Sequence, residues 1–299
     1  MRVIGGRIET SEAPSDAVGS VRFAVYLPPG YENCGADYPV LYLLHGRGET
    51  LTAWQRVTPD LDELIAAGRL QPIVVVMPDA PWNEAGHWYT DSAYAGAAPS
   101  GPGTRVDTAL SRDLVDYVDM TFRTVANRAM RAVGGYSMGG AGALCFALAH
   151  QDRFSAAIVL SPAAYAPQPP AGSSTRKYGA YGVGDDLFDA NRYEELNYPS
   201  ALERFDPGLP VHLFIAAGDD ESANPDPVDA IHDIDVESVR LYNAACRVSG
   251  VTATLRILDG GHDWDVWQPA FREAVVEVSG HLSVTPAAET PASTPGARR

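Results

Sequence analysis

Residues 132–142 read AVGGYSMGGAG, five glycines around one serine. The stretch follows a short apolar run and precedes a segment with helical spacing, so poor helix formers stand where a helix must begin. A glycine-rich turn alone would account for this, since glycine tolerates positive φ and lets two elements approach closely. The sharper reading is a nucleophile elbow, in which a serine occupies a strained strand-to-helix bend. In G-Y-S-M-G, Gly135 and Gly139 would then remove side chains that collide with the crossing strand and helix. With 28 glycines in 299 residues the pattern can arise by chance, so its meaning depends on what surrounds it.

Outward from the elbow, short runs rich in β-branched and aromatic residues alternate with helical patterns. The runs are VRFAVYL (21–27), VLYLL (40–44), IVVVM (73–77), RAVGGY (131–136), AAIVL (156–160), VHLFIA (211–216) and TLRIL (254–258). The first alternates as a half-exposed edge strand does, whereas VLYLL, IVVVM and AAIVL are apolar throughout, as strands covered on both faces are. Between them, Val106, Leu110, Leu114, Tyr117, Val118, Phe122 and Val125 form one apolar stripe on a helix over 106–125. Residues 139–149, 237–248 and 268–280 read likewise. Strands alternating with helices predict an α/β fold with a mostly parallel central sheet and helices on both faces.

Residues 1–283 read as one domain. Two regions heavy in glycine, proline and aromatics, 79–105 and 163–200, are expected to be irregular, as lids or mobile surface. The last stretch, 284–299, lacks bulky apolar residues and is expected to be a disordered tail.

Composition excludes several functions. A formal net charge of −16 lacks the basic footprint that nucleic acid or an anionic membrane requires. No run approaches the roughly 18–20 apolar residues of a membrane span. The opening MRVIGGRIETSEAPSD has no apolar signal core, so the default expectation is a cytoplasmic protein, or a secreted one if a leader has been removed. Cys34, Cys145 and Cys246 are scattered and odd in number, and are expected to be reduced, mostly buried thiols. No cofactor is expected. H-E-x-x-H and paired-histidine spacings are lacking, the acidic 219–237 segment does not have the ligand spacing of a calcium loop, and neither phosphate-binding glycine pattern occurs.

A serine hydroxyl becomes a useful nucleophile only with a base in hydrogen-bond reach and a third group that orients the base. Where the serine sits on a nucleophile elbow, its partners follow in the chain order serine, acid, histidine. Ser137 follows RAVGGY, the acidic run Asp219, Asp220 and Glu221 follows VHLFIAAG, and His262 follows TLRILDGG. Only one of the three acids can be the orienter. His150, His281, His212 and His232 lie on helices, in a strand or in an acidic loop and read as ordinary residues, whereas G-G-H-D-W holds His262 in a tight loop past a core strand. An oxyanion needs donors too. The N–H of Met138 stands at a helix start, and in LYLLHGRGET (41–50) a turn at Gly46 would aim the Arg47 N–H at the same place.

Taken together, VYLPPGYENCGADYPVLYLLHGRGE, GGYSMGGAGAL and GGHDWDVW resemble the esterase family of α/β-hydrolases. That family includes feruloyl and acetylxylan esterases, enterochelin-type esterases, S-formylglutathione hydrolases and antigen 85 mycolyltransferases. The resemblance runs over roughly residues 20 to 280. It implies an α/β-hydrolase fold, Ser137 as nucleophile, His262 as base, and oxyanion-hole amides from Met138 and Arg47. It places the acid three residues beyond Gly218, at Glu221, with Asp220 as the alternative. For the pocket, Trp54, Trp88 and Trp264 are the candidate substrate-binding residues, with Trp82, His87, Tyr89 and Trp267 nearby; aromatics at a mouth suit an apolar or aromatic acyl group. The expected activity is hydrolysis of small-molecule or saccharide-linked carboxylic esters. Its alternatives are acyl transfer to a sugar or other alcohol, and a non-catalytic binding protein on the same fold.

Overall fold

The computed structural model describes residues 5–33, 35–80, 86–96, 102–221 and 226–283. Cys34, Trp82 and the expected tail 284–299 lie outside them. The main sheet comprises β1 (Arg7–Ser15), β2 (Gly19–Leu27), β3 (Val40–Leu44), β4 (Val74–Pro78), β5 (Arg131–Tyr136), β6 (Ala156–Leu160), β7 (Val211–Gly218) and β8 (Val251–Leu258). These eight strands stand in the order β1-β2-β4-β3-β5-β6-β7-β8. β2 is antiparallel to both its neighbours, and every later pairing is parallel.

The central strands are buried on both faces because their alternate residues enter two separate cores. Val40, Tyr42 and Leu44 of β3 join one cluster with Leu110, Leu114 and Leu144, whereas Leu41 and Leu43 join another with Leu61, Trp54 and Phe271. Period-two alternation therefore survives within an unbroken apolar run, each parity meeting its own layer of helices. The helices are α1 (Thr58–Ala66), α2 (Leu114–Thr121), α3 (Met138–Ala149), α4 (Ala190–Leu196), α5 (Tyr198–Glu203), α6 (Ile234–Ala245) and α7 (Trp264–His281). α2 is entered through a π-helical turn at Ala109–Asp113, and the expected helix over 106–125 ends at Thr121.

Several expectations are corrected. VRFAVYL is an interior strand, because RIETSEAPS pairs along its outer side as β1. β1 buries only Ala13 and Ser15, so it carries almost no apolar signal to read. The 163–200 region is not wholly irregular, since it contains α4 and the first half of α5; Asp189 caps α4 through the Arg192 N–H. The two long loops also hold each other. Ala93–Tyr94 pairs with Val183–Gly184, and Thr90 Oγ1 donates to the Ala180 carbonyl at 2.8 Å. Among the described cysteines, Cys246 is exposed rather than buried. No helix among the described residues is long and apolar enough to cross a membrane.

Close approach at the elbow explains its glycine content. A Cβ at Gly139 would lie 2.2 Å from the Leu44 carbonyl oxygen and 2.7 Å from that of His45. Neither is a movable side chain, so α3 could not reach the end of β3 with a larger residue. Gly139→Ala is expected to cost about 3 kcal/mol through overpacking. Thermal melting should register this as a fall of roughly 6–12 °C; an unchanged melting temperature would mean that the helix start can shift away from β3.

Candidate active site

Three strand ends deliver three side chains to one place. Ser137 follows β5 directly and adopts φ 56°, ψ −122°, outside the regions ordinary for an L-residue. The bend is held from both sides: Ser137 N–H donates to the Leu160 carbonyl at 2.9 Å, and the Ser137 carbonyl accepts from Ala163 N–H at 3.1 Å. Strain of this kind persists where its surroundings over-determine it, and it gathers at functional sites. The result lifts Oγ off the carboxyl edge of the sheet at the start of α3.

The acid loop after β7 and the histidine loop after β8 are laced together. Asp219 N–H donates to the Leu258 carbonyl and Asp220 N–H to that of Gly260, both at 2.9 Å. Gly260 N–H donates to Asp219 Oδ1 at 3.1 Å. This lacing turns Asp219 and Asp220 out to solvent and Glu221 inward, where Glu221 is 4% exposed. Glu221 Oε2 lies 2.6 Å from His262 Nδ1, and His262 Nε2 lies 2.9 Å from Ser137 Oγ. A carboxylate oxygen accepts, so the imidazole proton belongs on Nδ1 and the Nε2 lone pair faces the serine hydroxyl. Ser137, Glu221 and His262 are therefore brought together, and Asp220 is not.

The donor side is built by the loop after β3. Gly46 packs against the Tyr136 ring, where a Cβ would lie 2.6 Å from the ring edge. The chain then turns, with Glu49 N–H donating to the Gly46 carbonyl at 3.3 Å. Tyr89 Oη donates to the His45 carbonyl at 2.8 Å and anchors this loop from the other side. Met138 is the first residue of α3, so its N–H has no acceptor within the helix and stands at the positive end of the dipole. The carbonyls of Leu44 and His45 lie against Gly139, so the segment leading to Arg47 runs beside the helix start.

Of the three tryptophans expected at the pocket, Trp54 and Trp88 are buried and Trp264 is half-buried. Trp54 is 1% exposed, donates its indole N–H to the Leu44 carbonyl at 2.9 Å, and packs on Tyr136 and Phe271. It supports the end of β3 from within the core and does not line an open cleft. Trp88 is 2% exposed and adopts a positive φ of 41°, so it anchors its loop. Trp264 is half-buried between Trp54 and the guanidinium of Arg56, which sits 4.4 Å above its ring. Burial holds the imidazoles of His45 and His87 neutral by pushing their pKa values down.

Ser161 escaped the sequence reading, and Trp267 was read only as a neighbour of the pocket. Ser161, fully buried just past β6 with φ 42°, donates its hydroxyl to Glu221 Oε1. Trp267 donates its indole N–H to Ser161 Oγ at 2.8 Å, stacks on Tyr136 and meets the His262 ring edge-on. Trp267 had a sequence signal, since it lies one helical turn beyond the histidine loop. Ser161 had only its position after a buried strand. Among the described residues, the group that could hold a metal is Asp219, Asp220 and Asp259, all exposed, with ligand atoms within 4.8 Å of one another. Exposed carboxylates are readily solvated by water, and the cluster carries no assignment here.

An eight-stranded, mostly parallel sheet with a serine on a strained bend and an acid and a histidine at later strand ends defines an α/β-hydrolase. A family model described as "Putative esterase" matches residues 16–278, and the chain belongs to that family. A curated relative named endo-1,4-beta-xylanase/feruloyl esterase, from Xylanibacter ruminicola, is 31% identical over 188 residues, covering 60% of this chain and 25% of the relative. An esterase of Mycobacterium tuberculosis is 35% identical over 133 residues, covering 44% of this chain and 27% of the relative. The matched region thus spans about a quarter of each curated relative's length. Among solved structures, a ferulic acid esterase superposes with a TM-score of 0.72 at 25% identity, covering 93% of this chain and 99% of that one. An S-formylglutathione hydrolase from Agrobacterium tumefaciens shares the fold with a TM-score of 0.70 at 19% identity, covering 95% of this chain and 98% of that one.

Proposed function

We propose that the protein is a serine carboxylesterase acting through an acyl-enzyme, with Ser137 as nucleophile, His262 as general base and Glu221 as its orienter. The reading is carried by one observation, the continuous hydrogen-bonded path from Glu221 Oε2 through the His262 ring to Ser137 Oγ. His262 Nε2 takes the serine proton as Oγ attacks the ester carbonyl. The N–H groups of Met138 and Arg47 receive the oxyanion, each such donor contributing about 3–4 kcal/mol to the transition state. His262 then returns its proton to the departing alcohol, and water repeats the cycle on the acyl-enzyme. No metal or redox group takes part in this scheme.

For the acyl group we favour a hydroxycinnamate such as ferulate. This choice rests on the names of the xylanase/feruloyl esterase relative and the ferulic acid esterase structure. A fluorophosphonate probe is expected to label the wild-type chain at Ser137. Methyl ferulate should be hydrolysed with a higher kcat/KM than S-formylglutathione. Failure of the probe to label Ser137 would remove the nucleophile assignment, and a preference for S-formylglutathione would remove the ferulate assignment alone. Acyl transfer is the competing outcome, and a ferulate ester of trehalose or another added polyol among the products would establish it.

A further inference from the structure

Glu221 receives more than the imidazole. Oε1 accepts the Gly218 N–H at 2.7 Å and the Ser161 hydroxyl, while Oε2 is left to His262 Nδ1. Ser161 is in turn fixed by strand β7 and helix α7. Its N–H donates to the Ala216 carbonyl at 2.7 Å, and its Oγ accepts the Trp267 indole N–H at 2.8 Å. An indole N–H can only donate, whereas a hydroxyl has one proton to give. With Trp267 occupying a lone pair of Oγ, the Ser161 proton is directed to Glu221. The direction of the whole path is then set, from Trp267 through Ser161 to one carboxylate oxygen, and from Ser137 and His262 toward the other.

The need for such a pin is greater because the acid is not aspartate but glutamate, which has one more side-chain torsion to fix. Its terminal torsion joins an sp³ to an sp² carbon and has no sharp rotamer well, so burial alone would leave the carboxylate plane free to turn. Two donors on Oε1 remove that freedom and keep Oε2 on the histidine. The positive φ of Ser161 is consistent with a residue held in place for a purpose, as at Ser137. We infer that Ser161, oriented by Trp267, is a positioning residue for ester hydrolysis, acting through Glu221 on His262. The inference rests on the triad reading given under Proposed function.

Ser161→Gly is the informative variant, because glycine accepts the positive φ and removes only the hydroxymethyl group. Ser161→Ala provides a second test that retains the Cβ. Each is expected to lower kcat roughly 10–100-fold, the scale of one lost hydrogen bond to a charged group, with KM within about twofold. The low-field proton resonance of His262 Nδ1–H should shift or broaden in the same variants. A purely structural role would lower the melting temperature and leave both kcat in the folded range and that resonance unmoved, and this result overturns the inference. If instead Ser137→Ala retained full activity, the triad reading itself would fail, and the two failures are distinguishable.

Discussion

Replacing Ser137 by alanine is expected to lower kcat on p-nitrophenyl acetate by about 10⁶-fold, the scale seen when a triad serine is removed. Covalent catalysis ends with Oγ, because no other hydroxyl occupies the 2.9 Å position against His262 Nε2 among the described contacts. The variant should remain folded. Alanine retains the Cβ, so the backbone at φ 56° is no more crowded than in the wild type, and the Leu160 and Ala163 main-chain bonds are untouched. Residual turnover above water would come from the oxyanion amides and substrate binding, which do not depend on the side chain at 137. Initial rates, checked by active-site titration against trace wild-type enzyme, measure the effect. A loss of less than about tenfold would mean that ester cleavage at this site does not pass through Ser137.

Where the sequence was legible, it was so because one physical constraint governed each stretch. VLYLL, IVVVM and AAIVL are unbroken apolar runs because their strands are covered on both faces, and every one of them lies in the sheet. Ser137 and His262 stood out because chain order, glycine content and strand ends coincide at each, whereas the same signals left Asp219, Asp220 and Glu221 equivalent and only the family resemblance pointed to Glu221. β1 was hidden because an exposed outer strand answers to its neighbour's hydrogen bonds and not to a core, so RIETSEAPS has no apolar period. α4 and α5 were hidden by length, since seven and six residues are too short to show a helical stripe. The tryptophans misled for another reason. A large ring beside a catalytic loop serves equally to wall a pocket or to brace the loop from beneath, and only burial separates the two, as with Trp54 under Leu44. Ser161 illustrates the limit: its role depends on a tryptophan 106 positions away in the chain.

The choice among three adjacent acids leads to an equally specific expectation. Glu221→Gln should lower kcat about 10⁴-fold, while Asp219→Asn and Asp220→Asn change it by less than about threefold. The glutamine amide has one acceptor and one donor end, and the site offers donors on both sides. If the amide oxygen keeps the Ser161 and Gly218 donors, its NH₂ faces His262 Nδ1 and forces that nitrogen to accept. The ring proton then moves to Nε2, which can no longer take the proton of Ser137. If the amide turns over, its NH₂ meets the Gly218 N–H head-on, and a buried donor is left without an acceptor. Either way the isosteric change puts the histidine in the wrong tautomer or breaks the acid loop. Asp219 and Asp220 are exposed and are spared this conflict, and an asparagine at 219 can still accept from Gly260 N–H. Steady-state rates of the three variants on one ester decide the matter. Equal, mild losses in all three would mean that solvent, and not a buried carboxylate, holds the imidazole in place.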